Sequence, residues 1–173
     1  MLQEPPLQGD EATTLCSFLD YHRAMLREKC EDLTAEQLNR TLPPSDMTLG
    51  GMLKHLAVVE SSWFSEDLLG EPLIPPFDTV DWTADRDWEW HTAHEDSPQQ
   101  LLDLYDAAIA RSRQITEDLL ATPSGLDTLS VARAKSGEQY TLRWILVHMI
   151  EEYAQHNGHA DLIRESIDGR TGY

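Results

Sequence analysis

After Asp10 the apolar positions Leu15, Phe18, Leu19, Tyr21, Met25 and Leu26 recur at helical spacing and continue towards Leu33. Asp10, with Glu11 behind it, is placed to cap the first turn, so a first helix is predicted from there. Thr34 can cap a short helical turn over Ala35, Glu36 and Gln37, and Pro43 and Pro44 then force extended backbone. A second helix is expected to start at Asp46 or Thr48. It would carry Met52, Leu53, His55, Leu56, Val59, Trp63 and Phe64 inward and stop at Gly70. Between 71 and 97 neither a period of two nor one of 3.6 holds, which predicts a long irregular connection, packed through its own aromatics or functional. Ser97 and Pro98 open a third helix with a stripe through Leu101, Leu102, Tyr105, Ile109 and Ile115. A turn-rich stretch follows, with a strand pair around Ser136 and Gly137, and a last helix runs from Thr141 to about Ile167, ended by Asp168 and Gly169. The expected architecture is all-α: an up-down four-helix bundle forming one domain over 1–173, with the long connection between helices two and three.

The last helix contains chemistry that its apolar phase alone does not explain. Ile145, Met149, Glu152, His156, Ala160 and Ile163 step by four, three, four, four and three, so Glu152 and His156 share the buried stripe. Glu151, Gln155 and Arg164 fall to other sides, where charge stays solvated. An ionised carboxylate on a core stripe is costly unless it is paired or bound to a metal. Residues at i and i+4 project side by side, so Glu152 and His156 could chelate a divalent ion. His55, flanked by apolar residues on helix two, is the candidate third ligand. His148 and His159 lie four before Glu152 and three after His156, and either could replace a ligand or orient one from behind. Taken singly, a core histidine or a Glu–His helix pair has a plainer reading as a hydrogen-bonded or surface contact.

Composition narrows the field. With 31 acidic and 13 basic residues the 173-residue chain carries a formal charge of −18, which repels phosphate backbones and argues against nucleic acid. No apolar run reaches the roughly 20 residues that cross a bilayer, and the first ten residues lack a basic region followed by an apolar one, so a cytoplasmic protein is expected. Cys16 and Cys30 are too far apart along one helix to bridge and read as buried thiols. No Ser–His or Cys–His constellation offers a protein nucleophile.

The segments FLDYHRAMLREKCEDLTAEQLNR, TLGGMLKHLAVVESSWF and TLRWILVHMIEEYAQHNGHADLIRES, with the terminal DGRTGY, resemble the DinB-like (YfiT-like) superfamily of metal-binding four-helix bundles. Within it they are similar to the branch of mycothiol-dependent maleylpyruvate isomerase and mycothiol S-transferase. That resemblance implies one ligand in the HL context of helix two, matching His55, and two more four apart on the last helix, matching Glu152 and His156. Both lines of reasoning select the same metal triad. For two imidazoles and a carboxylate zinc is preferred over nickel, iron or manganese by ligand type and availability.

The resemblance further implies that mycothiol, or a similar small thiol, binds the ion through sulfur and attacks an electrophile, with no catalytic side chain beyond the metal centre. A metal-dependent hydrolase using a metal-bound hydroxide, and a non-catalytic metal-binding stress-response bundle, are the other readings the same triad allows. Arg143 is a candidate for a thiol or substrate carboxylate, against the plainer reading of an exposed helix-start cation. Trp82, Trp88 and Trp90 are candidates for a pocket wall, against simple packing over the bundle. His91 and His94 could pair on a second ion, although surface histidines are the simpler reading. Similar proteins are often homodimers, but no unburied stripe demands it here.

Overall fold

The computed structural model describes residues 2–172; Met1 and Tyr173, the ends of the leader and of the terminal DGRTGY block, lie outside the described residues. Six helices dominate, in the order α1 (Glu11–Cys30), α2 (Ala35–Leu38), α3 (Leu49–Ser61), α4 (Trp88–Thr92), α5 (Pro98–Leu120) and α6 (Leu142–Asp168). Their ends follow from local chemistry. Asp10 accepts from the Thr13 amide, Thr48 from Gly51 and Thr141 from Trp144, each satisfying an N-terminal N–H that the helix itself leaves unpaired. Thr34 and Ser97 complete reciprocal capping boxes with Gln37 and Gln100. Gly169, at φ 78, ends α6 in the left-handed region that side chains with a Cβ resist.

Several expectations need correction. The fold is not purely α, because β1 (Leu129–Arg133) and β2 (Gln139–Thr141) form an antiparallel pair, in register at Leu129 with Thr141 and at Arg133 with Gln139. This is the hairpin expected around Ser136 and Gly137. α1 stops at Cys30 instead of reaching Leu33, since Asp32 turns the chain with φ 59. The Pro43–Pro44 step is a tight turn rather than extended backbone, closed by the Ser45 amide donating to the Leu42 carbonyl at 3.0 Å. The second helix does reach Gly70, but its last part, Ser62–Leu69, widens to π geometry. The connection after it contains order: short 3-10 turns at Phe77–Thr79 and Ala93–Glu95, and the five-residue α4. Helices of one turn are too short to impose a period.

Leu19 and Leu26 of α1, Leu53 and Leu56 of α3, Phe64, Tyr105 of α5, and Ile145, Met149 and Tyr153 of α6 share one core. α6 is buried on two sides. One stripe is the one read from sequence; on a second side Tyr153 meets Glu60 and Tyr105, and Asn157 and Arg164 bond to α1. Arg164, expected to be solvated, is therefore only 5% exposed, and its guanidinium donates to the carbonyls of Lys29 and Glu31 at the end of α1. It satisfies acceptors that a helix C-terminus leaves open. Asn157 reinforces the same contact by donating to the His22 carbonyl. A smaller cluster of Ala57, Phe77 and Ala108, covered by Trp82 and Trp88, packs the connection against α3 and α5.

Candidate metal centre

His55 sits on α3 between fully buried Leu53 and Leu56, at a position where the ring reaches the edge of the core. Glu152 and His156 approach from α6, one turn apart. The Glu152 Oε1 lies 3.6 Å from His156 Nε2 and 3.8 Å from His55 Nε2, and the three donor atoms all fall within 4.8 Å of one another. Ligands about 2.1 Å from a tetrahedral ion stand about 3.4 Å apart, so small side-chain movements would close the three around one cation. Two imidazoles and a carboxylate suit zinc and its neighbours, and leave room for a further ligand. The residues present fit a divalent ion.

The electrostatics point the same way. The His156 and His55 imidazoles beside Glu152 hold its carboxyl well below the usual carboxylate range despite partial burial. Burial by itself would push the His55 imidazole down, but Glu152 and Glu89 outweigh it and raise the group above its ordinary value. Glu89 had no signal in the sequence pattern. It belongs to α4, is 5% exposed, and its Oε1 is 2.9 Å from His55 Nδ1. Next to it the Trp90 ring lies over His55, with centroids 4.9 Å apart and planes at 31°.

Three contacts with α3 hold this short helix in place. Gly51 leaves the space that Trp90 fills: a Cβ there would stand 2.5 Å from the ring. Lys54, 3% exposed, donates to Thr92 and Asp96 at 2.9 and 2.6 Å while its ammonium lies 4.3 Å from the Trp88 ring centre. His55 supplies the third contact through Glu89. Gly51, Lys54 and His55 thus receive successive parts of a segment in which sequence reasoning found no order.

The other candidates are placed as follows. Trp90 borders the triad, whereas Trp88 and Trp82 pack edge-on against each other in the smaller cluster. His148 stacks on Trp144 at 5.0 Å and meets Trp63 edge-on, and the His159 ring stands 5.8 Å from His156; neither is in the triad of donors. Arg143 is engaged away from the triad, pairing with Glu11 at 2.8 Å and with Asp127. His91 is exposed and paired with Asp85, and His94 is exposed; among the described residues they form no metal-holding group. Cys30 is buried, and burial pushes its thiol up to about 12; Cys16 is also raised, chiefly by burial.

A second polar constellation was also missed. Arg23 donates through Nε and Nη2 to both oxygens of fully buried Glu60, at 2.7 Å each, and Tyr153 donates to Glu60 Oε1 at 2.8 Å. Tyr105 completes it by donating to the Arg23 carbonyl. This network ties α1, α3, α5 and α6 together inside the core. Its only sequence signal was an acid, Glu60, one residue past apolar Val59 in an otherwise buried helix.

No helix among the described residues is long and apolar enough to cross a membrane. No curated protein matches the chain. The model of one protein family, Mycothiol-S-transferase, does match it, over residues 14–169 and therefore across most of α1, the triad-bearing parts of α3 and α6, and the connection that holds Glu89. The chain belongs to the mycothiol S-transferase family.

Proposed function

We propose that this protein is a metal-dependent thiol S-transferase that transfers mycothiol, or a closely similar small thiol, to an electrophile. His55, Glu152 and His156 hold the ion, zinc by preference. The long helices form the up-and-down bundle of the family as one domain, and the reaction belongs in the cytoplasm, where small thiols stay reduced. The observation that carries the reading is the convergence of three donors from α3 and α6 within 4.8 Å in a chain of this family. When bound, a divalent ion lowers the pKa of a thiol by several units and so makes its thiolate available at neutral pH.

The protein's own groups complement that chemistry. Glu152 is already ionised at neutral pH and needs no proton removed before ligating. Cys16 and Cys30 are both pushed towards the protonated thiol, so neither supplies a competing nucleophile. Trp90 borders the triad, with its ring 4.9 Å from that of His55 and 6.2 Å from that of His156, and so supplies an aromatic wall on that side of the centre.

The test combines metal analysis with a conjugation assay. Protein purified without chelator or affinity metal should contain stoichiometric metal, and His156→Ala should lose it. A bimane or dinitrobenzene electrophile should be consumed with mycothiol and more slowly with glutathione or bacillithiol. Absence of metal, with unchanged content in His156→Ala, would sink the proposal; thiol-independent ester hydrolysis that requires His55 would replace it with a hydrolase.

A further inference from the structure

Resting on that ligand assignment, we infer that Glu89 is a positioning residue for the metal centre: its hydrogen bond fixes the His55 ring so that Nε2, and not Nδ1, faces Glu152 and His156. An imidazole has two nitrogens, and the one that ligates is set by what the other does. A carboxylate only accepts, so the 2.9 Å contact with Glu89 Oε1 keeps a proton on Nδ1 and makes Nε2 the nitrogen available to ligate. Nε2 is the atom turned towards Glu152, 3.8 Å from its Oε1. His156 has no equivalent partner, since its Nδ1 is buried and unpaired. The orienting role therefore falls on the ligand that comes from a different helix.

Two further observations favour a role beyond packing. The second oxygen of Glu89, Oε2, is buried without a partner, an arrangement that is costly in a protein interior unless a positive charge stands nearby. A divalent ion beyond the His55 ring would be that charge. The carboxylates of Glu152 and Glu89, on opposite nitrogens of the His55 ring, would then offset its charge. The placement is also firm. α4 is fastened to α3 by Trp90 over Gly51 and by Lys54, which lies over the Trp88 ring and donates to Thr92 and Asp96, so the carboxylate is presented on a helix whose position is set on either side of it. A ligand oriented this way is held near its working geometry before metal arrives.

Chelator competition with zinc and visible absorption with cobalt test the inference on full-length wild type, Glu89→Gln and Glu89→Ala. Glu89→Ala should weaken zinc binding about 10- to 100-fold and shift the cobalt bands. Glu89→Gln should fall between it and wild type, because the amide oxygen still accepts from Nδ1. Should Glu89→Ala not fold, judged by circular dichroism, the glutamine variant must still bind more weakly than wild type. Nitrogen NMR of the zinc-loaded wild type gives an independent reading, with His55 expected to carry its proton on Nδ1 and its metal on Nε2.

Wild-type affinity and spectrum in the folded variants would overturn the inference alone, as would Nδ1 ligation. Wild-type protein that takes up neither zinc nor cobalt would overturn the ligand triad, and the role of Glu89 with it.

Discussion

α6 and the 71–97 connection bring side chains to the same small space by opposite means. α6 is a 27-residue helix whose phase places Glu152 and His156 and whose two buried sides fix its rotation. The connection delivers Glu89 and Trp90 on a helix of five residues, located by individual contacts with Gly51, Lys54 and His55. A long helix spreads the cost of misplacement over many core residues, whereas a single turn depends on each anchor. The three candidate donors are therefore on the robust elements, and Glu89 and Trp90, which border them, are on the sensitive one.

That contrast can be broken at several points. The largest effect should come from Glu60→Ala, which leaves the Arg23 guanidinium buried without its bidentate partner: about 3–5 kcal/mol of stability lost. Denaturant unfolding should show the loss, and hydrogen exchange should report it throughout α1, α3 and α6 alike. Gly51→Val should cost less, about 1–3 kcal/mol, because the new side chain meets the Trp90 ring. Its exchange pattern should differ, with amides of α4 losing protection while those of α6 keep it; uniform loss in both would dissolve the distinction drawn between the two regions.

The smallest effect concerns pH and the metal-free protein. The folded pKa of His55 is raised above its unfolded value of about 6.5, so its contribution to stability is complete below that pH and is lost as pH rises through the folded value. Glu152 has the opposite sign: its folded pKa is depressed, so its contribution is present above about 4.5 and lost only as pH falls through the lower folded value. The melting temperature of chelator-treated protein should therefore decline as pH climbs past about 6.5. Glu89→Gln and Glu152→Gln should each flatten that decline, since both regions hold a carboxylate against the same ring. A slope unchanged in Glu89→Gln would mean that α6 alone sets the charge state of His55.

How much of this was legible in the sequence follows the same division. The caps at Asp10 and Ser97, the start at Thr141 and the stop at Gly169 are local and readable residue by residue, whereas Asp46 and Thr48 are both placed to cap α3 and the fold uses Thr48. Helical phase brought Glu152 and His156 to one face, and His55 stood out as an imidazole among leucines. Arg164 is not legible as a buried residue, because a helix packed on two sides hides its second stripe among polar residues, here Asn157 and Arg164 bonded to the backbone of α1. Glu89 was invisible for a different reason. One turn of helix has no period, and an acid among Asp85, Asp87 and Glu95 carries no mark of burial. Glu60 had no visible partner, because Arg23 lies 37 residues away on another helix.

Cys30 is shut out of thiol–disulfide exchange by its surroundings. Disulfide exchange proceeds through a protein thiolate, and this one is denied by a pKa near 12 and by a sulfur enclosed against the Leu49 carbonyl. At that position the chain resists forming a mixed disulfide with any small thiol it meets.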